Sequence, residues 1–242
     1  MKKINLIILG LAFLGFSACE EETTAGLSKV TNYPLIEVAG PGTVYVPEGG
    51  TFTDPGVTAT ENGVEIDVKT TASGTYRGGS ALDMNKADKY EVTYTATNAD
   101  GFDGTASRTV WVYNTGDLIN SIEGLYTATV VRNGSTGPQY TDMEYILIWK
   151  NDDGTYEMSC GIGAYYELGR GYGPGYKSGG AVITANNILL NDFDVTDFSN
   201  DGFGGACEMT ALTVDALNKK INYTTEWSFG YTFVTELTQV EL

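Results

Sequence analysis

Short runs of alternating apolar and polar residues recur between residues 33 and 114. In the clearest run, one face of the predicted strand carries four apolar side chains: Tyr90, Val92, Tyr94 and Ala96. A period of two is typical of a strand with one buried face and one solvated face. Because about seven such runs are divided by Gly-, Pro- and Asn-rich turns, the segment is predicted to fold as a β-sandwich.

The pattern of residues 120–242 also predicts strands, which are longer and richer in aromatic residues. Both faces of the run Met143–Lys150 are largely apolar, so this strand is expected to be covered on both sides. A hairpin turn is expected at Asn151–Gly154, and a short strand at Asn187–Leu190. No run has the apolar stripe of a helix, so an antiparallel meander is predicted, either closed into a barrel or paired into a second sandwich.

A short joint, Thr115–Asn120, separates the two predicted domains. Because so few residues connect them, we expect the two domains to contact each other. Trp111 lies on the strand face opposite to Val110 and Val112. It is therefore interpreted as a residue that packs between the domains, with a ligand platform as the alternative.

Several motifs of the first segment resemble the bacterial immunoglobulin-like repeats of secreted and surface proteins. These motifs are Asp54–Ala59, Gly63, Tyr90–Asn98, Asp100-Gly101 and Arg108–Val112. The resemblance covers nearly all of residues 33–114 and implies an immunoglobulin-like sandwich that serves mostly as a spacer. The expected fold class is therefore all-β, with this sandwich followed by an antiparallel β-barrel or sandwich domain. The whole arrangement also resembles Bacteroides lipoproteins with an immunoglobulin-like N-terminal domain, similar to accessory lipoproteins of polysaccharide-utilisation loci.

The first residues follow the pattern of a secretory signal. The parts of this pattern are Lys2 and Lys3, an apolar run from Ile4 to Phe16, and the small residues Ser17 and Ala18 before Cys19. The run is shorter than the roughly 20 apolar residues that span a bilayer. The pattern resembles a bacterial lipoprotein signal, which implies that residues 1–18 are removed and that Cys19 is acylated. An ordinary secretory signal or a short membrane anchor is the alternative.

Residues 19–32 are polar and non-periodic, which predicts a flexible tether that begins at the acylated cysteine. Glu20, Glu21 and Glu22 resemble the surface-export signal of Bacteroidota lipoproteins. This resemblance implies a protein that is lipid-anchored in the outer membrane, faces the cell exterior and touches the membrane through its lipid only. Comparable acidic residues have other sorting meanings in other Gram-negative groups, so inward display is the alternative.

The chain has a formal net charge of −17. Such an acidic surface does not bind nucleic acid or an anionic membrane face, and it suits a neutral or cationic ligand. The chain also contains no histidine, which excludes Ser-His-Asp and Cys-His catalysis and His-ligated metal sites. No cofactor is expected.

Cys160 and Cys207 are the two cysteines that remain if Cys19 is lipidated. In an oxidising compartment such a pair suggests a disulfide, which would stabilise the fold by roughly 4 kcal/mol in the chain-entropy model. Two buried free thiols are the alternative.

The stretch Gly161–Gly180 is the most unusual part of the chain and is interpreted as a long loop. It holds eight glycines and four tyrosines, namely Tyr165, Tyr166, Tyr172 and Tyr176. A tyrosine offers a flat apolar face with a hydroxyl at its edge, which matches a sugar ring, and Arg170 could hydrogen-bond sugar hydroxyls. These residues therefore predict a polysaccharide or oligosaccharide ligand. The alternative is a loop whose tyrosines pack on their own glycines.

A second predicted loop, residues 191–205, contains exposed-looking phenylalanines, of which Phe203 joins the candidate glycan site. It also holds four aspartates, whose oxygens are of the kind that calcium prefers: Asp192, Asp194, Asp197 and Asp201. Their spacing does not follow the EF-hand pattern, so they are interpreted as solvated turn acids and no metal site is predicted. A bridge between Cys160 and Cys207 would bring both loops to one rim as a composite site.

The function predicted from these features is non-catalytic glycan binding at the cell surface, beside an outer-membrane polysaccharide-uptake complex. The alternative is a structural or adhesive surface protein whose C-terminal domain binds a protein partner. A glycoside hydrolase would need two carboxylates about 5–9 Å apart. The sequence offers candidates without placing any pair: Glu144, Glu157, Glu167 and Asp194. Since a β-domain of this size is small for that chemistry, the protein is not expected to be an enzyme.

Overall fold

The computed structural model describes residues 30–241. The predicted signal peptide, Cys19 and most of the predicted tether therefore lie outside the described residues. The described strands form three sheets, with only single helical turns between them, so the predicted all-β class is confirmed. Among residues 30–241, no helix is long and apolar enough to cross a membrane.

Seven strands form the N-terminal sandwich. They are β1 (Leu35–Val38), β2 (Thr43–Pro47), β3 (Val57–Glu61), β4 (Val64–Glu65), β5 (Lys69–Gly74), β6 (Asp88–Thr97) and β7 (Asp103–Tyr113). One sheet has the order β1-β3-β4 and the other the order β2-β7-β6-β5, and β2 runs parallel to β7. Strand β6 buries alternate residues, as its period of two predicts, and its Tyr90, Val92 and Tyr94 pack with the valines of β7.

The motif residues that carry the immunoglobulin-like resemblance meet in one polar network. The Asp54 carboxylate accepts hydrogen bonds from the Tyr94 hydroxyl (2.6 Å) and from the Gly56 N–H (2.9 Å). The guanidinium of Arg108, which is 1% exposed, lies 3.6 Å from the same carboxylate and donates to the Pro41 carbonyl. The motif is therefore a set of partners that allows one arginine to be buried between the sheets.

Nine strands form a single antiparallel sheet in the C-terminal region. They are β8 (Gly124–Arg132), β9 (Met143–Lys150), β10 (Tyr156–Met158), β11 (Val182–Asn187), β12 (Asp192–Val195), β13 (Phe198–Ser199), β14 (Ala206–Asp215), β15 (Lys220–Trp227) and β16 (Tyr231–Gln239). Their order is β12-β11-β10-β9-β8-β16-β15-β14-β13. Two meanders are thus joined where β8 pairs with β16. The sheet curls into a half-barrel, and the large hydrophobic core of the region lies on its concave side.

Strand β9 is covered on both faces, as predicted. Ile146 and Ile148 lie in the core of the half-barrel. The opposite face packs against the N-terminal sandwich in a second cluster, which contains Tyr145, Leu147 and Trp149 of β9 together with Ala87, Trp111, Tyr113 and Leu125. The expectation that Trp111 packs between the domains is therefore confirmed, with its ring 5.7 Å from that of Tyr145.

The expected strand Asn187–Leu190 was wrong. Strand β11 ends at Asn187, whose side-chain oxygen accepts a hydrogen bond from the Leu190 N–H and so stabilises a turn. Two short strands, β12 and β13, lie instead inside the segment 191–205, which was predicted to be a loop. The apolar Leu189 and Leu190, which suggested a strand, are exposed at this turn.

Candidate functional site

The Gly161–Gly180 stretch begins as a core segment and not as an exposed loop. Its first residues fill the concave side of the half-barrel, and Tyr165 begins a single π-helical turn, Tyr165–Gly169. Tyr165 is 3% exposed and Tyr166 is 8% exposed. The Tyr165 ring stacks on Tyr140 at 4.1 Å and contacts Phe233 edge-on at 5.5 Å. The predicted loop therefore anchors the floor of the site instead of projecting from it.

Close approach to the sheet explains why this segment needs glycine. The Gly161 carbonyl accepts a hydrogen bond from Thr225 at 2.7 Å, which holds the backbone against β15. Gly163 has φ +62°, and a Cβ at this position would lie 2.5 Å from Val130 and 2.8 Å from Thr235. Only a residue without a side chain fits there, both in conformation and in space.

An aromatic groove opens to solvent beside this segment. We define it by its five lining residues: Tyr166, Phe203, Trp227, Phe229 and Tyr231. Its volume is about 240 Å³. Phe229 at the β15–β16 turn is 57% exposed and Phe203 is 45% exposed, while Trp227 lies deeper. Two exposed rings thus frame a floor of buried and half-buried rings.

Neighbouring rings in the groove contact each other. The Tyr166 ring lies 5.1 Å from Phe203 and 5.8 Å from Trp227. Trp227 in turn lies 4.9 Å from Phe229 and 5.8 Å from Tyr231. The indole N–H of Trp227 donates to the Gly204 carbonyl, which fixes its orientation. The groove is therefore a preformed aromatic surface whose floor is rigidly held.

Tyr172 and Tyr176 extend this surface on the side of Phe203. Tyr172 is 50% exposed and stacks parallel to Tyr166, with 6.2 Å between ring centroids. Tyr176 lies 4.9 Å from Phe203 and 5.1 Å from Tyr172. Five of the predicted ligand residues therefore belong to one contiguous aromatic cluster, although Tyr165 lies beneath it and not on its surface.

Asn200 joins the two segments that supply these rings. Its side-chain N–H groups donate to the Tyr176 carbonyl (2.7 Å) and to the Ser178 hydroxyl (3.0 Å). Its side-chain oxygen accepts the N–H of Phe203 at 2.8 Å. Asn200 is 1% exposed, so this bridge is buried. A second link is the ion pair between Lys177 and Asp201.

Two arginines differ in their relation to the groove. The Arg132 guanidinium donates to the Tyr166 hydroxyl at 3.2 Å and lies 4.9 Å from the Tyr231 ring. It therefore provides a cation at the edge of the groove. The predicted Arg170 is exposed and lies over Tyr140 (5.9 Å) and Tyr165 (5.8 Å), away from the residues that line the groove.

Trp227, Phe229 and Tyr231 were not predicted as site residues. The sequence shows them only as the ends of two strands and the turn between them. Their aromatic character in a tight hairpin was the available signal, because an exposed phenylalanine in a turn has no role in the fold core. Recognition of the site needed the contact between this hairpin and the distant residues Tyr166 and Phe203.

Cys160 and Cys207 are both free thiols in the structure, so the suggested disulfide is not formed. Both are fully buried among apolar side chains of the half-barrel. Burial raises the pKa of Cys160 to about 12 and that of Cys207 to about 11. The two predicted loops nevertheless meet, because Asn200 and the ring contacts connect them.

The remaining charged candidates do not gather at the groove. Within residues 30–241, no group of His, Cys, Asp or Glu side chains could hold a metal ion. Glu167 is 4% exposed and accepts a hydrogen bond from the Tyr76 hydroxyl of the N-terminal domain at 2.9 Å. Burial raises the pKa of its carboxyl group, and the hydrogen bond from Tyr76 only partly offsets this effect.

Two family models match the chain. A model for bacterial surface proteins, Ig-like domain, matches residues 36–112, which confirms the immunoglobulin-like assignment. A model for a family of C-terminal domains matches residues 115–239, about half of the chain.

Among solved structures, the chain is similar to the lipoprotein BT2262 from Bacteroides thetaiotaomicron. The sequences are 25% identical and the TM-score is 0.65, with 86% of this chain and 100% of that chain covered. No curated protein matches the chain. The predicted likeness to Bacteroides lipoproteins with an immunoglobulin-like N-terminal domain is confirmed.

Proposed function

The chain belongs to the family of C-terminal domains whose model matches residues 115–239, and we propose that it binds a glycan through the aromatic groove. A bacterial surface immunoglobulin-like domain precedes the C-terminal domain in this chain. The observation that carries the proposal is the set of five aromatic side chains around one open groove, two of them well exposed. Phe203 and Phe229 both contact Trp227, so their exposed rings belong to one contiguous apolar surface, which marks a binding site more than a singly exposed residue does.

The chemistry of the groove suits a sugar chain. The C–H faces of a sugar ring are apolar and can lie on Phe229 and Phe203, whose edges do not compete for hydrogen bonds. The Tyr166 hydroxyl and the Arg132 guanidinium supply polar contacts for sugar hydroxyls at the floor and edge. The Trp227 N–H is already paired with the Gly204 carbonyl, so the five lining residues offer mostly apolar ring faces, which suits a neutral glycan.

We infer that the protein is a non-catalytic surface lipoprotein. The similarity to a Bacteroides lipoprotein and the match to a surface-protein domain support a location at the cell surface. In this proposal Cys19 carries the lipid in the outer membrane, the chain faces outward, and the immunoglobulin-like domain is a spacer. The captured polysaccharide or oligosaccharide would pass to a neighbouring outer-membrane uptake complex.

A glycan array and polysaccharide affinity gels test the binding function. We would use residues 19–242 with Cys19→Ala, called the C19A chain, which is unlipidated and keeps every described residue. The proposal expects at least one neutral polysaccharide to retard this chain in the gel. Absence of retention across a broad polysaccharide panel would contradict it.

A protein partner is the second candidate function, since exposed apolar side chains also occur in protein interfaces. The exposed rings of Phe229 and Phe203 would then form the apolar centre of such an interface. Competition with a soluble oligosaccharide distinguishes glycan binding from protein binding. Soluble oligosaccharide should release a glycan-bound C19A chain and should leave an adhesive protein contact intact.

A further inference from the structure

A second cavity lies between the two domains, away from the aromatic groove. Tyr76, Arg77 and Lys86 of the N-terminal domain line one side. Trp149, Glu157 and Lys177 of the C-terminal domain are among the residues on the other side. The volume is about 320 Å³, which is the lower end of the range for small-molecule sites and about the size needed for one sugar residue. We call this cavity the interdomain cleft.

Positive charge is concentrated in the cleft although the chain is acidic overall. Three cations line it, Arg77, Lys86 and Lys177, together with one carboxylate, Glu157. A second carboxylate, Asp88, is fully buried behind this wall and accepts the backbone N–H groups of Tyr76 and Arg77. Among the described residues, Arg77 and Lys86 form no ion pair with a carboxylate, whereas Lys177 pairs with Asp201. Within residues 30–241, Arg77 and Lys86 are therefore two cations without an ion-pair partner, in a chain whose formal net charge is −17.

The two N-terminal cations are held in place by the backbone around them. Lys86 donates through Nζ to the Arg77 carbonyl at 2.9 Å. Arg77 donates one N–H to the Ala87 carbonyl at 3.4 Å, and its guanidinium lies 5.3 Å from the centre of the Trp149 ring. Since a guanidinium carries five N–H donors, Arg77 retains donors for a ligand.

Trp149 adds an unused hydrogen-bond donor to the same wall. Its side chain is 5% exposed, and its indole N–H has no hydrogen-bond partner among the described residues. Buried N–H groups are seldom left unpaired because the loss costs about 1–3 kcal/mol. The ring face is covered by Arg77, so Trp149 would contribute its N–H and not a stacking surface.

We propose that the interdomain cleft binds the carboxylate or sulfate group of an acidic sugar, with Arg77 and Lys86 neutralising the charge and the Trp149 N–H donating to an oxyanion oxygen. Both groups present two or more acceptor oxygens to convergent donors, which is the arrangement that guanidinium and indole N–H groups recognise best. This site is separate from the aromatic groove. It would let one chain contact a neutral and an acidic part of a glycan.

The test follows the indole N–H resonance of Trp149 in the ¹⁵N-labelled C19A chain, assigned with the Trp149→Phe variant. The probes are D-glucuronate, D-glucose 6-sulfate, inorganic sulfate and neutral D-glucose. We expect saturable shifts with glucuronate or glucose 6-sulfate and none with glucose. Inorganic sulfate acting as strongly as the sugar anions would assign the site to the oxyanion alone, which still supports the proposed chemistry.

Two charge-matched variants decide whether the cleft is responsible. Arg77→Gln should weaken binding of the sugar anion at least tenfold, because it removes the cation above Trp149. Lys219→Gln, an exposed position paired with Glu241, removes the same charge elsewhere and should change affinity less than twofold. No Trp149 shift with any anion at 20 mM, or equal effects of the two variants, would overturn the proposal.

Discussion

Individual polar side chains determine where the aromatic rings of the groove lie. Asn200 connects the Phe203 turn to the backbone of Tyr176, and Arg132 holds the Tyr166 hydroxyl. Phe203 and Tyr172 could be predicted as exposed ligand residues from the sequence, because aromatic residues among glycines and acids suggest a surface. The role of Asn200 could not, since an asparagine in a polar segment looks like any turn residue until its partners are known.

Cys160 and Cys207 provide the first prediction at this scale. In the folded C19A chain at pH 8, neither thiol should react with a disulfide reagent, because both are buried and burial raises the pKa of each well above its usual range. Unfolding in denaturant without reductant should release two reactive thiols. A count of zero after unfolding would show that the two cysteines are bridged.

The segment Gly161–Gly180 shows why an element can be misjudged from composition. Many glycines and tyrosines suggest a mobile loop, and the sequence contains no sign that Val130 and Thr235 lie against Gly163. The glycines near the start of the segment allow close packing on the sheet, whereas Tyr172 near its middle remains exposed. Strand β6 was in contrast predictable because its burial follows the sequence period, and β9 because both of its faces are apolar.

Gly163→Ala should lower the free energy of unfolding by about 2–4 kcal/mol, since the new methyl group overpacks the core and φ is positive. Gly175→Ala in the same segment is the matched control. A Cβ there meets nothing within 4 Å and φ is not positive, so the change should stay within about 0.5 kcal/mol. Urea denaturation followed by tryptophan fluorescence measures both. Equal stability of the two variants would contradict the packing of the segment on the sheet.

The two domains pack against each other, and the sequence predicts part of this contact. The short joint and the position of Trp111 indicated the contact, and the apolar second face of β9 now has its explanation in the cluster formed with the sandwich. The partners of this contact lie far apart in sequence, for example Tyr76 and Glu167. The interdomain cleft is lined by residues of both domains, which lie far apart in the sequence, so no sequence motif pointed to it.

Glu167 should make the stability of the folded chain depend on pH. Burial raises its pKa above the ordinary value of 4.5, so the folded state holds this proton more tightly than the unfolded state. Stability contributed by the protonated carboxyl is therefore lost as pH rises from about 4 through the folded pKa. Glu167→Gln keeps an acceptor for Tyr76 and lacks this loss.

The stability of Glu167→Gln relative to the wild type should therefore increase between pH 4 and pH 7. Glu208→Gln, at an exposed position on β14, should show no such trend. Denaturation midpoints at the two pH values provide the comparison. Parallel pH profiles for wild type and Glu167→Gln would contradict the buried position of this carboxyl group.

The central claim is that the aromatic groove binds a glycan, and the most direct test is retention of Phe229→Ala and Leu217→Ala in a polysaccharide affinity gel. Phe229 is exposed in the groove, and Leu217 is 91% exposed at a distant turn, so neither truncation should unfold the chain. Loss of one stacking ring should weaken binding about tenfold, equivalent to about 1.4 kcal/mol, in Phe229→Ala. Leu217→Ala should be retained like the wild type. Equal retention of both variants on a polysaccharide that retards the wild type would contradict the claim.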